Sequence, residues 1–219
     1  FKHLQALAAS VPRGSQTLYA LFLTERADCH FFRALKEGRV SLGEELDIRS
    51  SGDENALICA HPEGMEFLII AGRQIATRER LEAAALAVDA KIPEGLPLEE
   101  TLAAIRNAGA IPVLNWAAGK WLGGRGRRLR ELLEKSEPGS FCLGDSSLRP
   151  WPSPPPGLFQ RARERGFHTL AGSDPLPFAG EERKLACYGR APDIAGTPTL
   201  LDAPSRPGIP AYRTVTPPP

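Results

Sequence analysis

Residues 97–115, PLEETLAAIRNAGAIPVLN, pass from helix to strand in one short stretch. Pro97 suits a first helical turn, and Glu99 and Glu100 favour the positive end of the helix dipole. Leu98, Leu102 and Ile105 fall on one face, and Gly109 marks the C-terminal stop. Ala110 to Leu114 then reads as a strand ending at Asn115-Trp116, although Pro112 removes one ladder donor.

The same alternation continues outward. Toward the C-terminus, Arg127 to Ser136 reads as a helix with Leu129, Leu132 and Leu133 apolar and Glu131/Lys135 spaced i, i+4. Phe141-Cys142-Leu143 is a short strand ending at Gly144-Asp145. Pro150 to Pro156 holds five prolines in seven residues and is a loop. Leu158 to Arg165 is a basic helix stopped by Gly166, and Phe167 to Ala171 is a strand ending at Gly172-Ser173-Asp174.

Toward the N-terminus, Thr17 to Leu23 is an apolar run that reads as a buried strand, with Thr24-Glu25-Arg26 at its end. Asp28 to Leu35 reads as a short helix, Asp28 as its N-cap, and residues 44–56 as a polar loop. Ala56 to Ala60 and Phe67 to Ile70 are strands joined by the turn His61-Pro62-Glu63-Gly64, the second ending at Gly72-Arg73-Gln74. Arg78 to Val88 is ambiguous: its alanines and Glu/Arg pairs favour a helix by propensity, while a weak alternation allows a strand. Strand–helix alternation predicts an α/β fold with a parallel sheet, open or closed into a barrel. We expect one domain over 1–190 and a Pro-rich tail over 191–219.

Composition narrows the function classes. The chain of 219 residues is 42% hydrophobic and 24% charged, an ordinary globular balance. Its net charge of +1, from 27 basic and 26 acidic residues, argues against a general nucleic-acid binder. No run approaches the ~18 apolar residues of a membrane span, and no signal pattern opens the chain. Cys29, Cys59, Cys142 and Cys187 form no CxxC and read as reduced, packed thiols, which fits a cytoplasmic location.

Polar residues gather just past the strands: Glu25/Arg26, Arg73/Gln74, Asn115, Asp145 and Ser173/Asp174. Sites of α/β folds lie at those carboxyl ends, so these positions are candidates for one pocket. The bland alternative makes them loop and helix-cap residues. Lys120 and the stretch Gly123-Gly124-Arg125-Gly126-Arg127-Arg128 form a Gly-rich basic segment that either holds an anion or is a solvated helix start. His30, His61 and His168 read as structural or solvated. There is no GxSxG elbow, and no cysteine has an evident base partner.

Four motifs in order resemble the polymerase-and-histidinol-phosphatase (PHP) superfamily: Gly72-Arg73-Gln74-Ile75, Leu96 to Leu102, Gly109 to Leu114, and Gly172-Ser173-Asp174. The resemblance covers roughly residues 17–178 and implies a distorted seven-stranded (β/α) barrel with a multi-metal phosphoesterase site. It also implies a strand, not a helix, over 78–88. The motif residues depart from the family one by one. Its Thr-Asp-His is matched by Thr24-Glu25-Arg26, and its bridging glutamate by Gln74. Its His-Pro is matched by Asn115-Trp116, and its Gly-Ser-Asp-Ala-His by Gly172 to Leu176, which keeps only Asp174. The N-terminal His-x-His corresponds at best to His3-Leu4-Gln5.

Divalent transition metals need imidazole, carboxylate or thiolate ligands, and Gln74 and Asn115 supply only amide oxygens. Glu25 and Asp174, with Asp145 nearby, remain as metal-binding and catalytic candidates for one Mg²⁺ or Mn²⁺. Three readings follow. In the first, the metal site has eroded, and Arg26, Arg73, Gln74, Asn115 and Lys120 bind a small polar, anionic or phosphorylated ligand. In the second, the chain is a phosphoesterase running on one ion at Glu25, Asp145 and Asp174. In the third, it is an interaction module presenting its Pro-rich segments.

Overall fold

The structure is a computed structural model, and it describes residues 19–43, 45–146, 156–174 and 180. His3, Cys187, most of the Pro150–Pro156 loop and the 191–219 tail lie outside the described residues. Eight strands form one sheet: β1 (Tyr19–Glu25), β2 (Asp47–Ser50), β3 (Ala56–Ala60), β4 (Glu66–Ala76), β5 (Glu82–Leu86), β6 (Ile111–Asn115), β7 (Cys142–Ser146) and β8 (Thr169–Gly172). Four described helices accompany them: α1 (Phe31–Lys36), α2 (Leu98–Asn107), α3 (Gly123–Lys135) and α4 (Gly157–Glu164).

The spine of the sheet is β4, EFLIIAGRQIA, whose residues 67–73 are all buried, as expected of a strand covered on both faces. One edge of β4 carries β1 in parallel, from Tyr19↔Phe67 to Glu25↔Arg73. The other edge is shared by two antiparallel strands, β3 along residues 66–70 and β5 along 72–76. The fork falls at Ala71, whose N–H donates to Asn55 O (2.8 Å) and whose carbonyl accepts from Val88 N (3.2 Å). Buried Asn55 stitches the fork, since its Oδ1 also accepts from Asp89 N at 2.9 Å.

Beyond β5 the order is β5-β6-β7-β8, with β6, β7 and β8 parallel and β5 reversed. The expectation of a closed seven-stranded (β/α) barrel is therefore overturned. The sheet is mixed, β3 and β5 run against their neighbours, and among the described residues no ladder joins β8 to β1 or β2. Strand–helix alternation in a sequence carries no direction. Residues 47–86 connect four successive strands without a described helix, and hairpin-like connections favour antiparallel pairing.

All four described helices pack on one face. Phe32 and Leu35 of α1 meet Leu57, Cys59, Phe67, Ile69 and Ala71. The apolar stripes of α2, α3 and α4 meet Ile75, Ala83, Ala85, Leu114 and Leu143 in the largest cluster. The second face is also apolar, with Ala56, Leu68 and Ile70 in one cluster and Ala84, Leu86, Val113 and Cys142 in another. The 78–88 stretch contains strand β5. Pro112 is accommodated because the β6–β7 ladder begins one residue later, at Val113.

Candidate functional site

The carboxyl ends of β1, β4, β6, β7 and β8 lie at the same end of the sheet, joined by the amino end of the reversed β5. Candidates from five strands therefore share one end. They do not share one face, because successive strand residues point to opposite sides. Register places Glu25 with Arg73, on the side of the helix-facing Leu23 and Ala71. Asp145, two residues past the helix-facing Leu143, falls on that side as well. Gln74, Asn115 and Ser146 fall on the second face, with Glu82 opposite Asn115.

On the helix side the polar groups are committed to the fold. The Glu25 carboxylate accepts from the first amides of α1, Phe31 N and Phe32 N (3.2 Å for the latter). It satisfies donors that a helix start leaves orphaned. Arg73, 6% exposed, donates through Nη1 to Cys29 O at 2.7 Å and through Nη2 to Asp89 Oδ1. Asp89 Oδ2 also accepts from Arg33 Nε at 3.2 Å, and His30 Nδ1 lies 3.4 Å from Arg73 Nη2.

On the other side a cleft of about 320 Å³ is lined by Arg26, Ala27, Asp28, Gln74, Ala76, Glu82 and Glu94. Its wall is the turn after β1, closed by Cys29 N to Arg26 O at 3.0 Å. Arg26 grips Asp28 twice, Nε to Oδ1 at 3.1 Å and Nη2 to Oδ2 at 2.7 Å. This contact holds the exposed Asp28 carboxyl below its ordinary range, the hydrogen bond from Arg26 being the main cause. Gln74 lies half-buried in the cleft and makes no side-chain hydrogen bond among the described residues. Glu82 pairs with Lys120, and Glu94 Oε1 accepts from Ala76 N at 3.4 Å.

Asp174 adjoins this end of the sheet. Partial burial raises its carboxyl above the ordinary range, and the neighbouring Glu82 adds to the rise, while a hydrogen bond with Ser146 opposes it. Its backbone is left-handed, φ +42°, a conformation that aspartate tolerates better than most residues. The Asn115 side chain lies across Gly144, where an added Cβ would collide with Asn115 Oδ1.

Arg26, Gln74, Asn115, Lys120 and Asp174 are thus brought toward one side, while Glu25, Arg73 and Asp145 are turned to the other. The single-ion set Glu25, Asp145 and Asp174 does not assemble, because two of its carboxylates face the helices. Among the described residues no three His, Cys, Asp or Glu side chains converge to hold a metal ion.

Sequence reasoning missed Glu82, Asp89 and Glu94. The signal for Glu82 was the alternation Glu82/Ala84/Leu86, which places it in line with the second-face residues of β5. The signal for Asp89 was Arg73 itself, since a guanidinium inside an apolar strand needs a carboxylate.

The remaining candidates find structural partners. Gly126 lets α3 approach Trp121, whose carbonyl oxygen occupies the space a Cβ would need. Arg125 donates to Gly119 O (3.1 Å) and Arg128 pairs with Glu99 (2.8 Å), so the basic segment is tied to its own fold. His61 Nδ1 accepts from Glu63 N at 3.2 Å inside the β3–β4 turn. Burial pushes the Cys59 and Cys142 thiols up to about 11.

No family model, no curated protein and no solved structure matches this chain. No helix among the described residues is long and apolar enough to cross a membrane.

Proposed function

We propose that the protein binds a small polar ligand in the cleft between the β1 turn and the β4–β5 ladder. The observation that carries this reading is Gln74, a half-buried amide in the cleft with no side-chain partner among the described residues. An amide in that position offers one acceptor and two donors to a ligand. Of the three lining carboxylates, Asp28 is paired with Arg26 and Glu82 with Lys120, which leaves the charge of Glu94 in surplus. That balance favours a ligand with an amine or other cationic group over the anionic or phosphorylated one expected from the sequence. Arg26 and Lys120, both already paired, are left to orient polar groups at the rim.

The phosphoesterase reading loses its ligand set, since Glu25 is occupied by the α1 amides and shares no face with Asp174. Thermal-shift screening of amines, amino acids, nucleosides and sugar phosphates tests the proposal. A genuine cleft ligand loses its shift in Gln74→Leu, and a positively charged hit also loses it in Glu82→Gln. Shifts that survive both changes place binding elsewhere.

A further inference from the structure

The cleft wall is a short turn, and the structure explains how so small a segment is held. Residues 26–29 have one internal backbone bond and the Arg26–Asp28 pair, whose side chains are 71% and 64% exposed. Neither contact fixes the turn to the rest of the molecule. An external tether comes from the helix side of the sheet: Arg73 Nη1 donates to Cys29 O, the last carbonyl of the turn, at 2.7 Å. The same guanidinium is locked by Asp89, which is anchored by Asn55 Oδ1 at its own N–H and by Arg33 at its second oxygen. Glu25 fixes the other side of the segment by holding the first α1 amides.

We propose that Arg73 and Asp89 are positioning residues that set the cleft wall from the opposite face of the sheet. A buried ion pair is a weak source of stability, and apolar residues of similar volume often serve as well. What an apolar residue cannot do is hold the Cys29 carbonyl at a fixed place. Arg73 and Gln74 are then a linked pair, in which Gln74 faces the ligand and its neighbour aims the wall that the ligand meets. This rests on the cleft being the binding site, but the clamp is measurable without any ligand.

Hydrogen exchange of the full chain provides the test. In Arg73→Met and in Asp89→Asn, the amides of Cys29, Phe31 and Phe32 should exchange at least about tenfold faster. Amides of α3 and β7 should speed up only as far as the global loss of stability measured by urea unfolding dictates, whereas the three turn amides should open locally, with little dependence on added denaturant. Arg73→Lys, which can reach one partner but not both, should restore part of the protection. Should Arg73→Met fail to fold, the isosteric Asp89→Asn carries the measurement. Unchanged exchange at these three amides, or an equal acceleration across all segments, overturns the clamp. An empty ligand screen overturns the binding reading and leaves the exchange result standing.

Discussion

Glu25 and Arg26 are neighbours in sequence, as are Arg73 and Gln74, yet each pair is divided between two regions. On the helix side, Glu25 and Arg73 are engaged with backbone amides, a backbone carbonyl and a buried carboxylate. On the cleft side, Arg26 holds only an exposed aspartate in its own turn, and Gln74 holds nothing among the described residues. Alternation along β4 and the turn after β1 set one residue of each pair against the helices and the other in the cleft. Adjacent substitutions should therefore have unequal effects.

The widest gap is expected at Arg73 and Gln74. Arg73→Met leaves Asp89 with one partner and Cys29 O with none, and should cost about 3–5 kcal/mol in urea unfolding. Gln74→Leu should stay within about 0.5 kcal/mol, because no hydrogen bond is lost. Equal costs would break the comparison.

Two glycines sharpen it. Gly126→Ala drives a Cβ into the Trp121 carbonyl, and backbone cannot step aside. It should cost about 1–3 kcal/mol despite the gain in helix propensity. Gly144→Ala meets the end of the Asn115 side chain and Val113 Cγ1 at 3.1 Å, and a side chain can rotate. It should cost about 1 kcal/mol or less and displace the Asn115 amide, visible as a side-chain NH₂ shift in NMR. A smaller gap is expected at the end of β1. Glu25→Ala removes a cap from α1 and should cost about 1 kcal/mol, whereas Arg26→Ala breaks an exposed pair and should leave the urea midpoint unchanged.

The sequence made the elements legible and left their directions hidden. The helix over 98–107 and the strand over 56–60 were readable because each follows its own period and ends at a clear stop. Strand β2, DIRS, looks like loop in sequence: only Ile48 faces the core, and an edge strand needs no more. The length of β4 was hidden by Arg73, which reads as the polar end of a strand. Its neutralising partner, Asp89, stands sixteen residues away and is brought near only by the β5 return. The site was half legible for the same reason. Polarity at strand ends points to Arg26, Gln74, Asn115 and Asp174, of which Arg26 and Gln74 line the cleft, but the face of each residue depends on register, which composition does not encode.

The smallest predicted effect is also the most specific to the cleft side. The folded environment raises the Asp174 carboxyl above its unfolded value, through burial first and the Glu82 charge second. The folded state then binds more protons than the unfolded state between the two values, so stability falls as pH rises through that window. Above the folded value the ionised aspartate is a standing penalty, and acidification through that value relieves it. Asp174→Asn removes the charge, keeps a partner for Ser146, and keeps a side chain suited to φ +42°. It should raise Tm slightly at pH 7, with the gain shrinking as pH falls through the raised folded value and gone once pH is below the ordinary carboxylate value. A gain at pH 7 that vanishes in Glu82→Gln/Asp174→Asn, measured against Glu82→Gln alone, would assign the penalty to the Glu82 contact. A gain that persists would assign it to desolvation, the larger cause. A loss of stability at pH 7 would mean that Asp174 serves the fold, and would move it across the divide to join Glu25 and Arg73.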